Sequence, residues 1–93
     1  MKVGFTCSAF DLLHSGHISM LREAKDQCEY LICGLQTDPS ADRLEKNAPI
    51  QTIVERYTQL KAVGYVDEII PYSTEEDLKD ILSMYSIEVR ILG

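Results

Sequence analysis

Apolar positions along the chain follow two alternating rhythms. Val3–Cys7 is a short run of apolar and β-prone residues. It gives way at His14-Ser15-Gly16 to a helical spacing, with Ile18, Leu21, Ala24 and Cys28 separated by three, three and four positions. Tyr30–Leu35 is almost wholly apolar, as a strand buried on both faces of a parallel sheet must be. Residues 37–50 turn polar and contain Pro39 and Pro49, which predicts a long loop. Thr52-x-x-Glu55 fits a capping box and opens a second helix with the stripe Ile53, Tyr57, Leu60 and Val63. Gly64 sits where a C-terminal cap belongs. A third strand is expected over Val66–Ile70, ended by Pro71. Thr74-x-x-Asp77 then starts a helix carrying Leu78, Ile81, Leu82 and Tyr85, and Ile87–Leu92 reads as a fourth strand.

The order β-α-β-α-β-α-β predicts an α/β fold, a doubly wound parallel sheet with the first strand central. No internal repeat or linker divides the chain, so residues 1–93 read as one domain. Such sheets bind ligands beyond the carboxyl ends of their strands, where the strand order reverses. With a central first strand, the turn after Cys7–Ser8 is the expected site.

Charge narrows the ligand. Nine Lys/Arg against fifteen Asp/Glu give a net charge of −6, which argues against nucleic acid or an anionic membrane as partner. Residues 1–64 carry seven basic and eight acidic side chains, residues 65–93 two and seven, so an anionic ligand belongs in the first two-thirds. No run of about 18 apolar residues predicts a membrane span, and Met1–Thr6 enters a strand pattern without the apolar core of a signal peptide. Cys7, Cys28 and Cys33 are odd in number and form no Cys-x-x-Cys. They read as reduced core thiols of a cytoplasmic protein rather than a zinc site.

The turn Ser8-Ala9-Phe10-Asp11-Leu12-Leu13-His14-Ser15-Gly16-His17 carries the chemistry. The small Ser8 and Ala9 let backbone approach a bulky anion. Gly16 leaves the helix start open, where free N–H groups and the helix dipole favour phosphate. His14 and His17, three residues apart, fall on one side of a helical turn. Two imidazoles there suit a reaction that needs hydrogen-bond donors for charge developing on a transferring phosphoryl group.

Phe10-Asp11-Leu12-Leu13-His14-Ser15-Gly16-His17 closely resembles the signature of the cytidylyltransferases, within the larger HxGH nucleotidyltransferase family. Leu21-Arg22-Glu23-Ala24-Lys25, Gln36-Thr37-Asp38, Val54-Glu55-Arg56 and Tyr65-Val66-Asp67-Glu68-Ile69-Ile70-Pro71 are similar to segments of the bacterial glycerol-3-phosphate cytidylyltransferases. The resemblance implies a Rossmann-like fold, CTP as substrate with Mg²⁺ arriving on the triphosphate, a phospho-alcohol acceptor such as glycerol 3-phosphate, and a homodimer. Ethanolamine phosphate is an alternative acceptor, and a shortened non-catalytic nucleotide-binding relative is an alternative to the enzyme. Family members continue past the point matched by Leu92-Gly93 into a further strand and a helix that help to bind CTP.

By resemblance His14 and His17 are the catalytic pair. Ser8, Ala9, Phe10, Asp11, Gly16 and Lys46 surround the nucleotide phosphates, Asp11 either fixing the site or serving as a turn carboxylate. Asp38 contacts the acceptor alcohol or caps its loop. Arg56 meets the acceptor phosphate or braces the loop. The chain has Ser8-Ala9 where relatives place Gly followed by Thr, Cys or Val, and Gly64 where they often place arginine.

Overall fold

A computed structural model describes residues 1–42 and 47–91. The elements are β1 (Val3–Ser8), α1 (Ser15–Asp26), β2 (Tyr30–Gln36), α2 (Pro39–Asp42), α3 (Ile53–Lys61), β3 (Glu68–Tyr72), α4 (Glu75–Met84) and β4 (Val89–Arg90). All strand pairs are parallel, in the order β3-β2-β1-β4. The first strand is therefore central. The chain winds from β1 to β2 to β3, then returns through α4 to the other side of β1, so the strand order reverses beside β1.

Period-2 alternation in the strands divides the core into two layers. Leu31, Cys33 and Leu35 pack with Leu21 and Ala24 of α1 and with Leu60 and Val63 at the end of α3. Phe5 and Ile32 face the opposite way and pack with Tyr72 and with Ile81 of α4. Helices thus cover both faces, which is why β2 reads as one apolar run. The capping boxes at Thr52/Glu55 and Thr74/Asp77 both form.

Several expected boundaries move. The third strand runs through Pro71 instead of stopping before it, with Pro71 opposite Leu35. β3 is an edge strand, where one side of the backbone has no partner and a missing N–H is tolerated. Among the described residues the fourth strand spans Val89–Arg90, against the expected Ile87–Leu92. Backbone bonds from Glu88 to Val3 and from Ile91 to Phe5 extend its attachment on either side, and Leu92 lies outside the described residues. The polar stretch 37–50 is broken by the helical turn α2. α3 ends on Ala62 in a right-handed conformation, and Gly64 has no positive φ, so it is not the cap. Along α1, Leu21 and Ala24 are buried, whereas Ile18 is exposed and Cys28 lies beyond the helix, half-buried.

Two signature-like segments meet at the amino ends of the strands. Lys25 Nζ pairs with Asp67 Oδ2 at 2.5 Å, and that oxygen accepts the Leu31 amide at 2.7 Å. Glu68 accepts the hydroxyls of Tyr30 and Tyr85, and its hydrogen bond pushes the Tyr30 hydroxyl up to about 12. These residues lock β2, β3 and α4 together, at the opposite end of the sheet from the expected site.

In mid-sheet, a Cβ on Gly34 would stand 2.9 Å from Phe5 Cζ, 3.0 Å from Cys7 Cβ and 3.1 Å from Tyr72 Cε1. Two of these groups are buried and one is tied to the β1 backbone, so none withdraws freely. Gly34→Val is expected to lower unfolding free energy by about 2–3 kcal/mol through overpacking. Urea unfolding checks this, and an unshifted midpoint would refute the packing argument.

Candidate functional site

The turn leaving β1 is wound tightly. Ser8 Oγ accepts the Phe10 amide at 3.3 Å. Phe10 and Leu12 both adopt left-handed backbone angles, φ 48° and 51°, which side-chain-bearing residues seldom adopt. The strain is held by packing and clamps. Phe10 is 1% exposed, and its ring lies 5.8 Å, centroid to centroid, from that of His17. Leu12 N donates to Gln51 Oε1 at 2.8 Å. The Asp11 carboxylate accepts the amides of Ile50 (2.8 Å) and Gln51 (2.9 Å).

At the start of α1 the two histidines cap the helix and each other. Gly16 N donates to His14 Nδ1 at 3.0 Å, and His14 N donates to His17 Nδ1 at 3.2 Å. The result is a capping box built from imidazoles. This hydrogen-bond pattern assigns the tautomer: an Nδ1 that accepts carries no proton, so Nε2 of each ring is the N–H donor. The rings stand 4.1 Å apart, tilted by 38°. With Cys7, Ser8, Gly16 and Met20 they line a cleft of about 290 Å³ at the carboxyl end of β1. Burial, and then the neighbouring His14, lower the proton affinity of His17 below its ordinary value, which favours the neutral ring. The site offers two N–H donors at the positive end of a helix, which suits a phosphate chain.

The structure thus brings Ser8, His14, Gly16 and His17 to one cleft. The remaining expected residues stand around it. The Ala9 carbonyl and Arg56 are bonded to each other. Arg56 is 2% exposed and donates from Nε to the Gln51 carbonyl (3.2 Å), from Nη1 to those of Ala9 (2.9 Å) and Gln36, and from Nη2 to that of Thr37. Of its two readings, contact with the acceptor phosphate or bracing of the loop, the second matches this geometry. Four of the five N–H groups of this buried guanidinium are directed at backbone carbonyls. Asp38 accepts both the amide and the hydroxyl of Ser40 (3.0 and 2.6 Å), so it caps α2. Both Asp11 oxygens are likewise engaged by backbone, which matches the reading of Asp11 as a turn carboxylate. Lys46 lies outside the described residues. Sequence reasoning missed Gln51 and Met20, which nothing in their spacing marks and which the fold brings to the turn, and it read Cys7 at the end of the first strand only as a core thiol.

The amides of Ile50 and then Gln51 hold the Asp11 carboxyl below its usual 3.8. A carboxyl depressed in the folded state adds stability that is present above the unfolded value and lost as pH falls through the folded one. The melting temperature of the native chain is therefore expected to drop more steeply below pH 4 than that of Asp11→Asn. Parallel curves from pH 7 to pH 2.5 would remove the clamp.

Known proteins resemble the chain over most or all of its length. Over 94 aligned residues the chain is 38% identical to the bifunctional protein HldE of Caulobacter sp. (strain K31), covering all of this chain and 19% of that protein. It is 41% identical over 81 residues to HldE of Paramagnetospirillum magneticum, covering 86% of this chain and 17% of that protein. The chain thus spans about a fifth of the length of these relatives. Among solved structures, the lipopolysaccharide core biosynthesis protein of Thermoplasma volcanium superposes with a TM-score of 0.84 at 26% identity, over 97% of this chain and 72% of that one. The pattern that defines the cytidylyltransferase-like family matches residues 5–93, from β1 through the histidine-capped turn to the end of the chain, and the chain belongs to that family.

Proposed function

We propose that the chain catalyses nucleotidyl transfer at the histidine-capped cleft, taking CMP from CTP onto the phosphate of a small phospho-alcohol, with glycerol 3-phosphate as acceptor. An acceptor phosphate oxygen attacks the α-phosphorus, the bond from that phosphorus to the bridging β-phosphate oxygen breaks, and pyrophosphate leaves with the electron pair. The observation that carries the reading is the paired Nε2–H donors at the open end of α1. They stabilise negative charge on the phosphoryl oxygens as it redistributes in the transition state, with no covalent step on the protein. The cap fixes the tautomer of both rings, so each presents its Nε2–H to the cleft. Magnesium bound to the nucleotide would supply charge that neutralises the phosphates, and such an ion keeps phosphate and water ligands. Free Cys7, Cys28 and Cys33 and the need for a nucleoside triphosphate pool support a cytoplasmic location, and a homodimer is the expected assembly.

A second reading changes the acceptor. The Thermoplasma neighbour is named for lipopolysaccharide core biosynthesis, which favours a phosphorylated sugar, and with it ATP as an alternative donor. Calorimetric titration of CTP and ATP with Mg²⁺, followed by pyrophosphate release with glycerol 3-phosphate, ethanolamine phosphate and hexose or heptose phosphates, separates the two. Release with CTP and glycerol 3-phosphate alone supports the first reading. Release only with a sugar phosphate transfers the assignment to the second. Binding of neither nucleotide leaves a non-catalytic relative of the family.

A further inference from the structure

Arg56 is the most deeply buried charged residue among those described, and among them no carboxylate bonds to it. A buried cation is tolerated only if its hydrogen bonds are met. Here they are met by carbonyls from three separate segments: Ala9 in the turn after β1, Gln36 and Thr37 at the end of β2, and Gln51 ahead of α3. A second set of bonds closes the circuit, because Asp11 holds the amides of Ile50 and Gln51 and Gln51 holds the amide of Leu12. A surface arginine solvated by water, or a core aliphatic residue, would hold α3 against the sheet equally well. Neither would tie the two loops that leave β1 and β2 to each other.

We infer that Arg56 is a positioning residue that joins these three segments into one unit, so that order at the histidine turn is transmitted to the end of β2 and to the start of α3. On the proposed function, which this inference deepens, the unit sets the acceptor side of the cleft against the nucleotide side. Arg56 touches neither substrate. Lysine is a poor replacement, since one ammonium cannot span four carbonyls that a planar fork reaches together.

Residue-resolved amide hydrogen exchange tests the coupling without any ligand. In Arg56→Lys the amides of Leu12, Thr37, Ile50 and Gln51 are expected to exchange faster together, by about tenfold or more, as one cooperative unit. The amides of Ile32 and Cys33 in mid-β2 keep their protection. Acceleration confined to Ile50 and Gln51, or spread equally through β2, overturns the inference. Asp11→Asn serves as a second variant should Arg56→Lys fail to fold: it lies on the surface of the turn, and it is expected to speed Thr37 as well as Ile50 and Gln51. An unchanged Thr37 overturns the inference there too. Adding CTP·Mg²⁺ or ATP·Mg²⁺ to the native chain forms a separate arm. Failure of either to protect the Gly16 amide counts against the functional reading, while the coupling still stands or falls on the ligand-free exchange rates. Protection of Gly16 that reaches Thr37 in the native chain but not in Arg56→Lys supports both.

Discussion

His14→Ala and His17→Ala are each expected to lower pyrophosphate release by about 10²–10³-fold, the range lost when one preorganised donor to a developing anion is removed. The double variant is expected to fall little further. Each imidazole orders the other, since His14 N bonds to His17 Nδ1 and His14 Nδ1 holds the Gly16 amide two residues on. Groups that act as a unit do not add. Alanine also removes a helix cap, worth about 1 kcal/mol, so lost activity could be confused with a frayed α1. His14→Asn separates the two effects. Asparagine is among the best N-caps and can accept the Gly16 amide, but it has no donor where Nε2–H stood. It is expected to melt within a few degrees of the native chain and to turn over as slowly as His14→Ala. Turnover near the native rate in His14→Asn would show that the histidines serve the helix and not the chemistry.

Much of the architecture can be read from periodicity because burial and secondary structure coincide in a small doubly wound sheet. β2 is covered on both faces, and it stands out as an unbroken apolar run. α3 and α4 begin with capping boxes whose side chains and backbone amides satisfy one another, a local rule that needs no tertiary context. The expectation fails where tertiary position decides. Pro71 ends a central strand but is tolerated in an edge strand, and nothing local says that β3 is an edge. Gly64 resembles a cap, yet α3 stops two residues earlier on Ala62.

The site divides in the same way. His14, Gly16 and His17 are legible because their spacing is one helical turn and their chemistry is local. For Asp11, Asp38 and Arg56 the sequence leaves two roles open, contact with substrate or bracing of the local backbone. A carboxylate or a guanidinium near a phosphate site suggests substrate contact, whereas here each is spent on nearby protein groups: Asp11 on Ile50 and Gln51, Asp38 on Ser40, and Arg56 on four carbonyls. Partners 39 and 47 residues away in sequence leave no periodic trace. Lys25 and Asp67 show the converse, since both lie in segments that resemble the family and their pairing accounts for them by structure alone.

Gly16→Ala is the sharpest test of how the donors are placed. A Cβ at residue 16 would stand 2.8 Å from His14 Cε1 and 3.0 Å from His14 Nδ1, closer than real contacts allow. The obstructing atoms belong to the side chain of an exposed residue, so the ring can swing aside, at the loss of its bond to the residue 16 amide, a cap worth about 1 kcal/mol. Alanine is a better helix former than glycine by about 1 kcal/mol, which offsets that loss. Stability is therefore expected to hold. The swing carries His14 Nδ1 off the residue 16 amide and turns Nε2–H away from the cleft, and displacement of a reacting group by about 1 Å can cost roughly 10²-fold in rate. Pyrophosphate release in Gly16→Ala should fall by about that factor while the melting temperature stays level. Affinity for CTP·Mg²⁺ should change less than the rate, because the helix amides and His17 still meet the phosphates. Loss of both fold and activity would mean that the glycine serves the backbone, and retention of both would mean that the His14 ring need not stand where the cap holds it.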